Sequence, residues 1–218
     1  MTIIFDFDGT LHNTKRLYGC AVRKVYDWLV EGGYANEHYY SDDDLSVYLG
    51  VNAPDMWKSF MPSLPEDIKN QASMMIGQEM IRRINAGEAV LYDGIPEALD
   101  TLRGMGLKLS VLSNCRTAYM DAHRNYFGLD KWFDNYYCAE AYGFIPKEKI
   151  FLSVKKESPG EAFIMVGDRD SDFLVSKTHS IPFIGCSYGF GTAEELAGAD
   201  IIISSPDMLS GAVAGIIK

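Results

Sequence analysis

Apolar residues follow two different spacings that alternate along most of the chain. Short apolar runs rich in β-branched residues predict strands at residues 2–5, 107–112, 136–139, 162–166, 182–186 and 200–203. Apolar residues at helical spacing predict helices at residues 95–103, 117–127, 147–156 and 171–179. Because strands that alternate with helices form βαβ units, we predict an α/β fold with a mostly parallel sheet that helices cover on both faces.

The alternation is interrupted between about residues 15 and 90, where no strand pattern occurs. Ser41 precedes a run of aspartates, which is typical of an N-cap followed by an acidic first turn. Apolar residues follow a helical spacing from Ile68 to Ile84, and Gly87 lies where a helix would end. We predict an all-helical lobe at residues 15–90, inserted into a Rossmann-like core formed by residues 1–14 and 91–218. A rigid second layer of helices on a single domain is the alternative.

Composition narrows the class of protein. The 218 residues are 47% hydrophobic and 23% charged, as in globular proteins, and the formal net charge of -10 argues against a nucleic-acid partner. A phosphorylated substrate would therefore need a local cation.

The start of the chain does not resemble a secretion signal, and no apolar run is long enough to span a bilayer. The cysteines lack C-x-x-C spacing, so we expect reduced thiols and a cytoplasmic protein.

Polar residues directly follow several of the predicted strands. Because ligands bind at the carboxyl ends of the strands in an open parallel sheet, these residues are candidates for a site. Carboxylates from separate strands that meet at one edge require a cation, and hard oxygen ligands suit Mg²⁺. The histidines show no spacing typical of metal ligands, so we expect them to have surface or packing roles. The candidates are Asp6 and Asp8 after the first strand, Ser113 and Asn114 after the second, and Asp168 and Asp172 after the fourth.

These residues occur in motifs that resemble those of the haloacid dehalogenase-like superfamily of phosphatases, along the whole chain. Asp6-Phe-Asp-Gly-Thr-Leu11 matches the first motif, Ser113-Asn114 the second, and Gly167-Asp168 with Asp172 the fourth. The residues from Gly189 to Asp200 are similar to the phosphoglycolate phosphatase-like branch. The resemblance implies a HAD-like fold in which the helical lobe is a C1-type cap that excludes water and contacts the leaving group.

The resemblance also implies roles for the motif residues. Asp6 would attack phosphorus and form an aspartyl-phosphate, while Asp8 would protonate the leaving group and later activate water. Mg²⁺ would be held by Asp6, the backbone carbonyl of Asp8, and Asp168. Ser113 and Asn114 would bind the phosphoryl oxygens. Thr10 and Asp172 would support the groups that contact metal and phosphate.

The third motif of the family is a lysine, and here the chain departs from the usual pattern. Ile145 occupies the position at which the branch often has the lysine, followed by Pro146-Lys147-Glu148-Lys149. The cation that binds phosphate would therefore be Lys147 or Lys149, and we favour Lys147.

The implied activity is hydrolysis of a small phosphomonoester, most similar to that of a phosphoglycolate phosphatase. One alternative is a phosphomutase of the β-phosphoglucomutase kind, in which the phosphoryl group returns to a sugar phosphate. Another is a catalytically inactive binding protein, which the displaced lysine keeps open. The expected partner is a small phosphorylated metabolite rather than a nucleic acid or a membrane, and the sequence leaves monomer or homodimer open.

Overall fold

The computed structural model describes residues 1–51 and 53–217. Within these residues the contacts divide the chain into two compact units. One unit joins Met1–Asn13 to the chain from Val90 onwards, and the other spans Thr14–Ala89. No helix among the described residues combines the length and the apolar character needed to cross a membrane.

The first unit, called the core unit below, is built on a parallel sheet. The strands of its described residues are ordered β3-β2-β1-β4-β5-β6, and each neighbouring pair is parallel. The central strand β1 is buried along its length because Ile3, Ile4 and Phe5 pack between layers of helices. The strands are β1 (Thr2–Phe5), β2 (Lys108–Ser113), β3 (Asn135–Cys138), β4 (Phe163–Gly167), β5 (Phe183–Cys186) and β6 (Ile201–Ile203).

Four helices make up the described part of the second unit, called the helical unit below, and no strand occurs there. Ser41 caps α2 as expected: its side chain accepts a hydrogen bond from the backbone N–H of Asp44, whose carboxylate accepts from the Ser41 N–H. Gly87 follows the end of α4 with a φ of 83°, a conformation that favours glycine. The helices are α1 (Lys15–Glu31), α2 (Asp42–Ser46), α3 (Ala53–Phe60) and α4 (Glu66–Asn85).

Helices follow the strands of the core unit as the alternating pattern predicts. Ile150, Phe151 and Val154 pack against Ile4 and Met165 of the sheet, so apolar spacing in the sequence corresponds to burial. The α/β fold class is confirmed, and the strand limits differ from the predicted ones by about one residue. The helices are α5 (Ile95–Gly104), α6 (Thr117–Phe127), α7 (Lys147–Glu157), α8 (Asp170–His179), α9 (Ala193–Leu196) and α10 (Leu209–Ile217).

Candidate active site

The chain turns sharply after β1 and returns beside its own path. The Phe7 carbonyl accepts hydrogen bonds from the backbone N–H groups of Leu11 and His12, both at 2.9 Å, and Gly9 N–H donates to the His12 carbonyl at 2.9 Å. Gly9 has a φ of 89°, and a Cβ at this position would lie 2.2 Å from Asp168 Oδ2. The glycine of the first motif is therefore required both by the turn and by the close approach of Asp168.

Acidic side chains from two neighbouring strand ends meet directly beyond the sheet. Asp6 N–H donates to the Val166 carbonyl at 2.9 Å, which continues the pairing of β1 with β4 and places Asp6 beside Asp168. One carboxylate oxygen from each of Asp6, Asp168 and Asp172 lies within 4.8 Å of the others. All of these side chains are buried, so water does not disperse their charges.

Lys147 provides the positive charge of this cluster. Its Nζ lies 2.7 Å from Asp6 Oδ1 and 2.7 Å from Asp172 Oδ1, and the residue is only 2% exposed. Lys147 is the first residue of α7, whereas Lys149 is exposed. Of the two lysines that the sequence leaves open, the structure thus brings Lys147 to the acidic residues. Ile145, at the usual position of the lysine, is 40% exposed.

Asp168 and Asp172 are held by groups that differ in kind. Asp168 accepts from Thr10 Oγ1 at 3.1 Å and from the backbone N–H of Phe190 at 2.7 Å. Asp172 accepts from the backbone N–H groups of Asp168 and Arg169 at 3.2 and 3.1 Å, in addition to Lys147. Asp172 therefore orients both the lysine and the turn that carries Asp168.

Burial and mutual repulsion shift the titration of these groups. Burial, followed by repulsion from Asp172, raises the pKa of Asp6 well above its usual range, although Lys147 opposes the shift. The same causes raise the pKa of Asp168 to about 7, against hydrogen bonds from Phe190 and Thr10. Burial opposes the charge of Lys147, but Asp172 and Asp6 hold its pKa above the ordinary value. Three carboxyl groups thus share Lys147, and the raised pKa values of Asp6 and Asp168 reflect repulsion that this lysine does not offset.

This donor set fits a divalent cation. The cluster has carboxylate oxygens, which are the ligands that Mg²⁺ prefers, and full ionisation of its three carboxyl groups would leave more negative charge than Lys147 neutralises. Among the described residues, Asp6 and Asp168 are suited to be ligands. Asp172 already accepts several hydrogen bonds and is suited to hold the ligands and Lys147 in place.

The side chain of Asp8 lies in a different environment. Asp8 Oδ1 accepts a hydrogen bond from the Tyr119 hydroxyl at 2.7 Å and lies 3.0 Å from His12 Nδ1. His12 is fully buried, so the expected surface or packing role does not describe it completely. Only the Asp8 backbone carbonyl was expected at the metal, and the position of its side chain outside the acidic cluster is compatible with that expectation.

Ser113 and Asn114 lie where β2 gives way to a loop. Ser113 is the last residue of β2 and is buried; its Oγ accepts from the backbone N–H of Cys115 at 3.3 Å. Asn114 is half-buried in the loop that leads to α6. Because β2 pairs with β1, both residues lie near the strand end that carries Asp6. Their role as phosphate ligands stays a prediction.

Several contributors to the site were not identified from the sequence. His12 and Tyr119 contact Asp8, and the Gly189-Phe190-Gly191 segment surrounds Asp168. A Cβ on Gly191 would lie 1.7 Å from the Asp168 carbonyl oxygen, so only glycine fits there. The paired glycines after β5 are the signal that could have indicated a close backbone approach.

Comparison with known proteins places these features in a wider context. A family model described as haloacid dehalogenase-like hydrolase matches residues 3–186. A phosphoglycolate phosphatase from Agrobacterium fabrum is 28% identical over 86% of this chain and 80% of its own length. A 5′-nucleotidase from Pseudomonas aeruginosa is 27% identical over 89% and 86%, respectively. The crystal structure of a predicted phosphatase from Clostridium acetobutylicum superposes with a TM-score of 0.83 at 24% identity, covering 98% of both chains.

Proposed function

The chain belongs to the haloacid dehalogenase-like hydrolase family, and from that membership we propose that it is a magnesium-dependent phosphatase that hydrolyses a small phosphomonoester. The observation that carries the proposal is the buried cluster in which Lys147 lies 2.7 Å from both Asp6 and Asp172, with Asp168 beside them. Burying several carboxylates around a lysine costs stability, so a functional reason is expected for it.

The proposed reaction has two halves that use the same groups in reverse. A carboxylate oxygen of Asp6 attacks phosphorus, the bond from phosphorus to the leaving oxygen breaks, and Asp8 gives its proton to that oxygen. Asp8 then takes a proton from water, whose oxygen attacks the aspartyl-phosphate. The bond from phosphorus to Asp6 breaks, which releases inorganic phosphate and restores both carboxyl groups.

Electrostatics explain why this site needs cations. A phosphate dianion near Asp6 faces repulsion of about 4 kcal/mol for each pair of unit charges at about 4 Å and an intermediate dielectric. Lys147 offsets part of this repulsion, and it lies within contact of the attacking carboxylate. Mg²⁺, held by Asp6, Asp168 and the Asp8 carbonyl, would supply two further positive charges to the phosphoryl oxygens.

The remaining residues of the proposed site bind or orient. The Ser113 hydroxyl and the backbone and side chain of Asn114 would bind phosphoryl oxygens that carry charge in the transition state. Thr10 would hold Asp168 through the hydrogen bond at 3.1 Å. Asp172 would keep Lys147 directed at Asp6. The helical unit would act as a cap that selects the leaving group.

The names of the relatives support a choice of substrate class. Proteins named phosphoglycolate phosphatase and 5′-nucleotidase are similar to this chain, so small alkyl phosphates and nucleoside monophosphates are the first candidates. We favour a phosphoglycolate-like substrate. A phosphomutase would form the same intermediate but would release no inorganic phosphate from it in the presence of a sugar-phosphate acceptor.

The test is turnover with p-nitrophenyl phosphate and Mg²⁺, followed by a panel of alkyl phosphates and nucleotides in which released phosphate is measured. Asp6→Asn removes the nucleophile, and we expect turnover to fall by about 10³-fold or more. Asp170→Asn is the matched control, because Asp170 is an exposed aspartate at a position of the fourth motif to which no role is assigned. Turnover that survives Asp6→Asn would contradict the mechanism, and no hydrolysis of any ester would favour a binding protein.

A further inference from the structure

Asp8 is held on one side by residues that the reaction described above does not use. Tyr119 Oη lies 2.7 Å from Asp8 Oδ1, His12 Nδ1 lies 3.0 Å from the same oxygen, and Tyr119 Oη is 3.5 Å from His12 Nδ1. We infer that His12 and Tyr119 are positioning residues that hold the Asp8 carboxyl in the orientation required for proton transfer. The inference rests on the proposed role of Asp8 as the acid and base.

The backbone of the first motif brings His12 to this position. The hydrogen bonds of the Phe7–His12 turn fold the chain so that His12 lies beside Asp8, and the two residues form an isolated β-bridge. His12 is 0% exposed. A buried imidazole costs free energy that an aliphatic residue would not, so its hydrogen bond to Asp8 gives a reason for histidine at this position.

Tyr119 lies in α6, far from Asp8 in the sequence, and His123 of the same helix contacts both its backbone and its ring. His123 Nδ1 donates to the Tyr119 backbone carbonyl at 3.0 Å, one helical turn away. The His123 ring centroid lies 4.4 Å from the rings of both Tyr119 and His12. Burial, followed by the nearby His12, lowers the pKa of His123 to about 3, so it is neutral and packs as an uncharged ring. Tyr119 and His12 are therefore fixed against each other.

The geometry limits the motion of Asp8. Both contacts end on Oδ1, one from the turn after β1 and the other from α6, so rotation about the side-chain torsions would break at least one of them. A group that acts as acid in one step and base in the next gains from being held in one orientation, because it need not be reordered in each transition state. Because both residues contact Asp8 directly, we expect them to affect the reaction through Asp8.

The test compares two aryl phosphates with leaving groups of similar shape. Phenol, with a pKa of about 10 like tyrosine, needs a proton as it leaves, whereas p-nitrophenol is much more acidic and needs little help. For Tyr119→Phe and for His12→Leu we expect kcat/KM for phenyl phosphate to fall by roughly tenfold to a hundredfold, and that for p-nitrophenyl phosphate by less than about threefold. Asp8→Asn should show the same pattern more strongly.

Two further variants separate positioning from structural damage. His12→Asn keeps a side-chain N–H near the position of Nδ1, and we expect it to recover part of the loss seen in His12→Leu. Tyr137→Phe is the matched control: Tyr137 is a buried tyrosine whose hydroxyl donates to the Glu157 carboxylate at 2.8 Å, outside the site. It should leave the ratio of the two kcat/KM values unchanged.

The outcomes distinguish this inference from the proposed function. If Asp8→Asn shows the leaving-group pattern but Tyr119→Phe and His12→Leu do not, the positioning role is wrong and the phosphatase mechanism stands. Equal losses for both substrates in Tyr119→Phe would also overturn the inference, because they would indicate general damage. Turnover that persists in Asp6→Asn would instead remove the proposed function itself.

Discussion

A buried cluster in the helical unit and a buried cluster in the core unit have opposite compositions. In the helical unit, the Glu79 carboxylate lies 2.5 Å from Lys24 Nζ, 2.7 Å from Arg82 Nη2 and 2.9 Å from Arg83 Nε. In the core unit, Lys147 lies among the carboxylates of the candidate site. One cluster surrounds an anion with cations, and the other surrounds a cation with anions.

The two clusters differ in whether their excess charge is exposed to water. Lys24 and Arg82 are 60% and 55% exposed, so water solvates the surplus positive charge around Glu79. The hydrogen bonds from Arg82 and Lys24 outweigh burial and lower the pKa of Glu79 to about 2. No further partner is needed there, and the cluster is explained by stability alone.

The surplus negative charge of the core cluster is sealed from water instead. Asp168 and Asp172 are 0% exposed and Asp6 is 5% exposed, so burial and repulsion raise the pKa of Asp6 and of Asp168. An arrangement that destabilises its own charged form is expected where a ligand completes it. Buried charge by itself therefore does not identify a site, whereas buried charge that neither a neighbouring group nor water neutralises does.

The largest expected effect comes from removing the cation of the core cluster. Lys147→Met should lower kcat/KM for any phosphomonoester by about 10³-fold or more, because the substrate loses its lysine contact and Asp6 loses its ion pair. It should also lower the free energy of unfolding by about 3–5 kcal/mol without Mg²⁺, since buried carboxylates then lack a partner. Steady-state kinetics and urea unfolding measure the two effects.

Lys149→Met is the matched control for this change. Lys149 is exposed and two residues further along α7, so neither activity nor unfolding should change measurably. Lys147→Arg retains the positive charge and should fold more stably than Lys147→Met. A Lys147→Met protein with normal turnover would show that the core cluster does not use its lysine for chemistry.

Asp168→Asn should have a smaller effect, on the free energy of unfolding, and the sign of this effect should depend on Mg²⁺. Its pKa rises from 3.8 to about 7 in the folded protein, so the unfolded chain ionises first and stability falls as pH rises between these values. Asp168→Asn removes this cost. In EDTA we expect the variant to match the wild type near pH 4 and to exceed it above pH 7 by on the order of a few kcal/mol.

Saturating Mg²⁺ should invert that order at pH 8. The wild type gains binding free energy from the metal, whereas the variant lacks a ligand and gains less. Thermal unfolding at pH 4, 6 and 8, with EDTA or with Mg²⁺, measures both parts. If Mg²⁺ stabilises Asp168→Asn as much as the wild type, Asp168 is not a ligand and the fit of the cluster to a divalent cation is lost.

The sheet could be predicted well because buried strands occur in the sequence as continuous apolar runs. Residues 2–5 are continuously apolar since β1 is covered on both faces, and the acids that follow interrupt that run. The strand ends therefore indicated which carboxylates would meet. The resemblance of the motifs then supplied roles that apolar spacing does not encode.

Contacts between side chains that are far apart in the sequence could not be predicted from apolar spacing. Tyr119 lies 111 positions from Asp8, and nothing in the spacing of either residue predicts their hydrogen bond. Residue type alone did not separate Lys147, which the resemblance favoured, from Lys149. The start of α7 at Lys147 brings that residue into the cluster, while Lys149 faces solvent. Glu79 is buried in α4 near Ile76 and Met80, and its burial depends on cations from α1 and α4.

The smallest expected effect tests the cluster of the helical unit. Glu79→Gln removes the negative charge and should lower the free energy of unfolding by about 1–2 kcal/mol at pH 7. Because folding lowers the pKa of Glu79 from 4.5 to about 2, its contribution is present above pH 4.5 and is lost as pH falls toward 2. Wild type and Glu79→Gln should therefore differ in urea unfolding at pH 7 and converge near pH 2.

Glu66→Gln is the control, because it alters an ion pair of a glutamate that is 83% exposed, and it should lower the free energy of unfolding by less than about 0.5 kcal/mol. Mg²⁺ should leave the difference between wild type and Glu79→Gln unchanged, and a metal-dependent difference would contradict the view that this cluster needs no further partner.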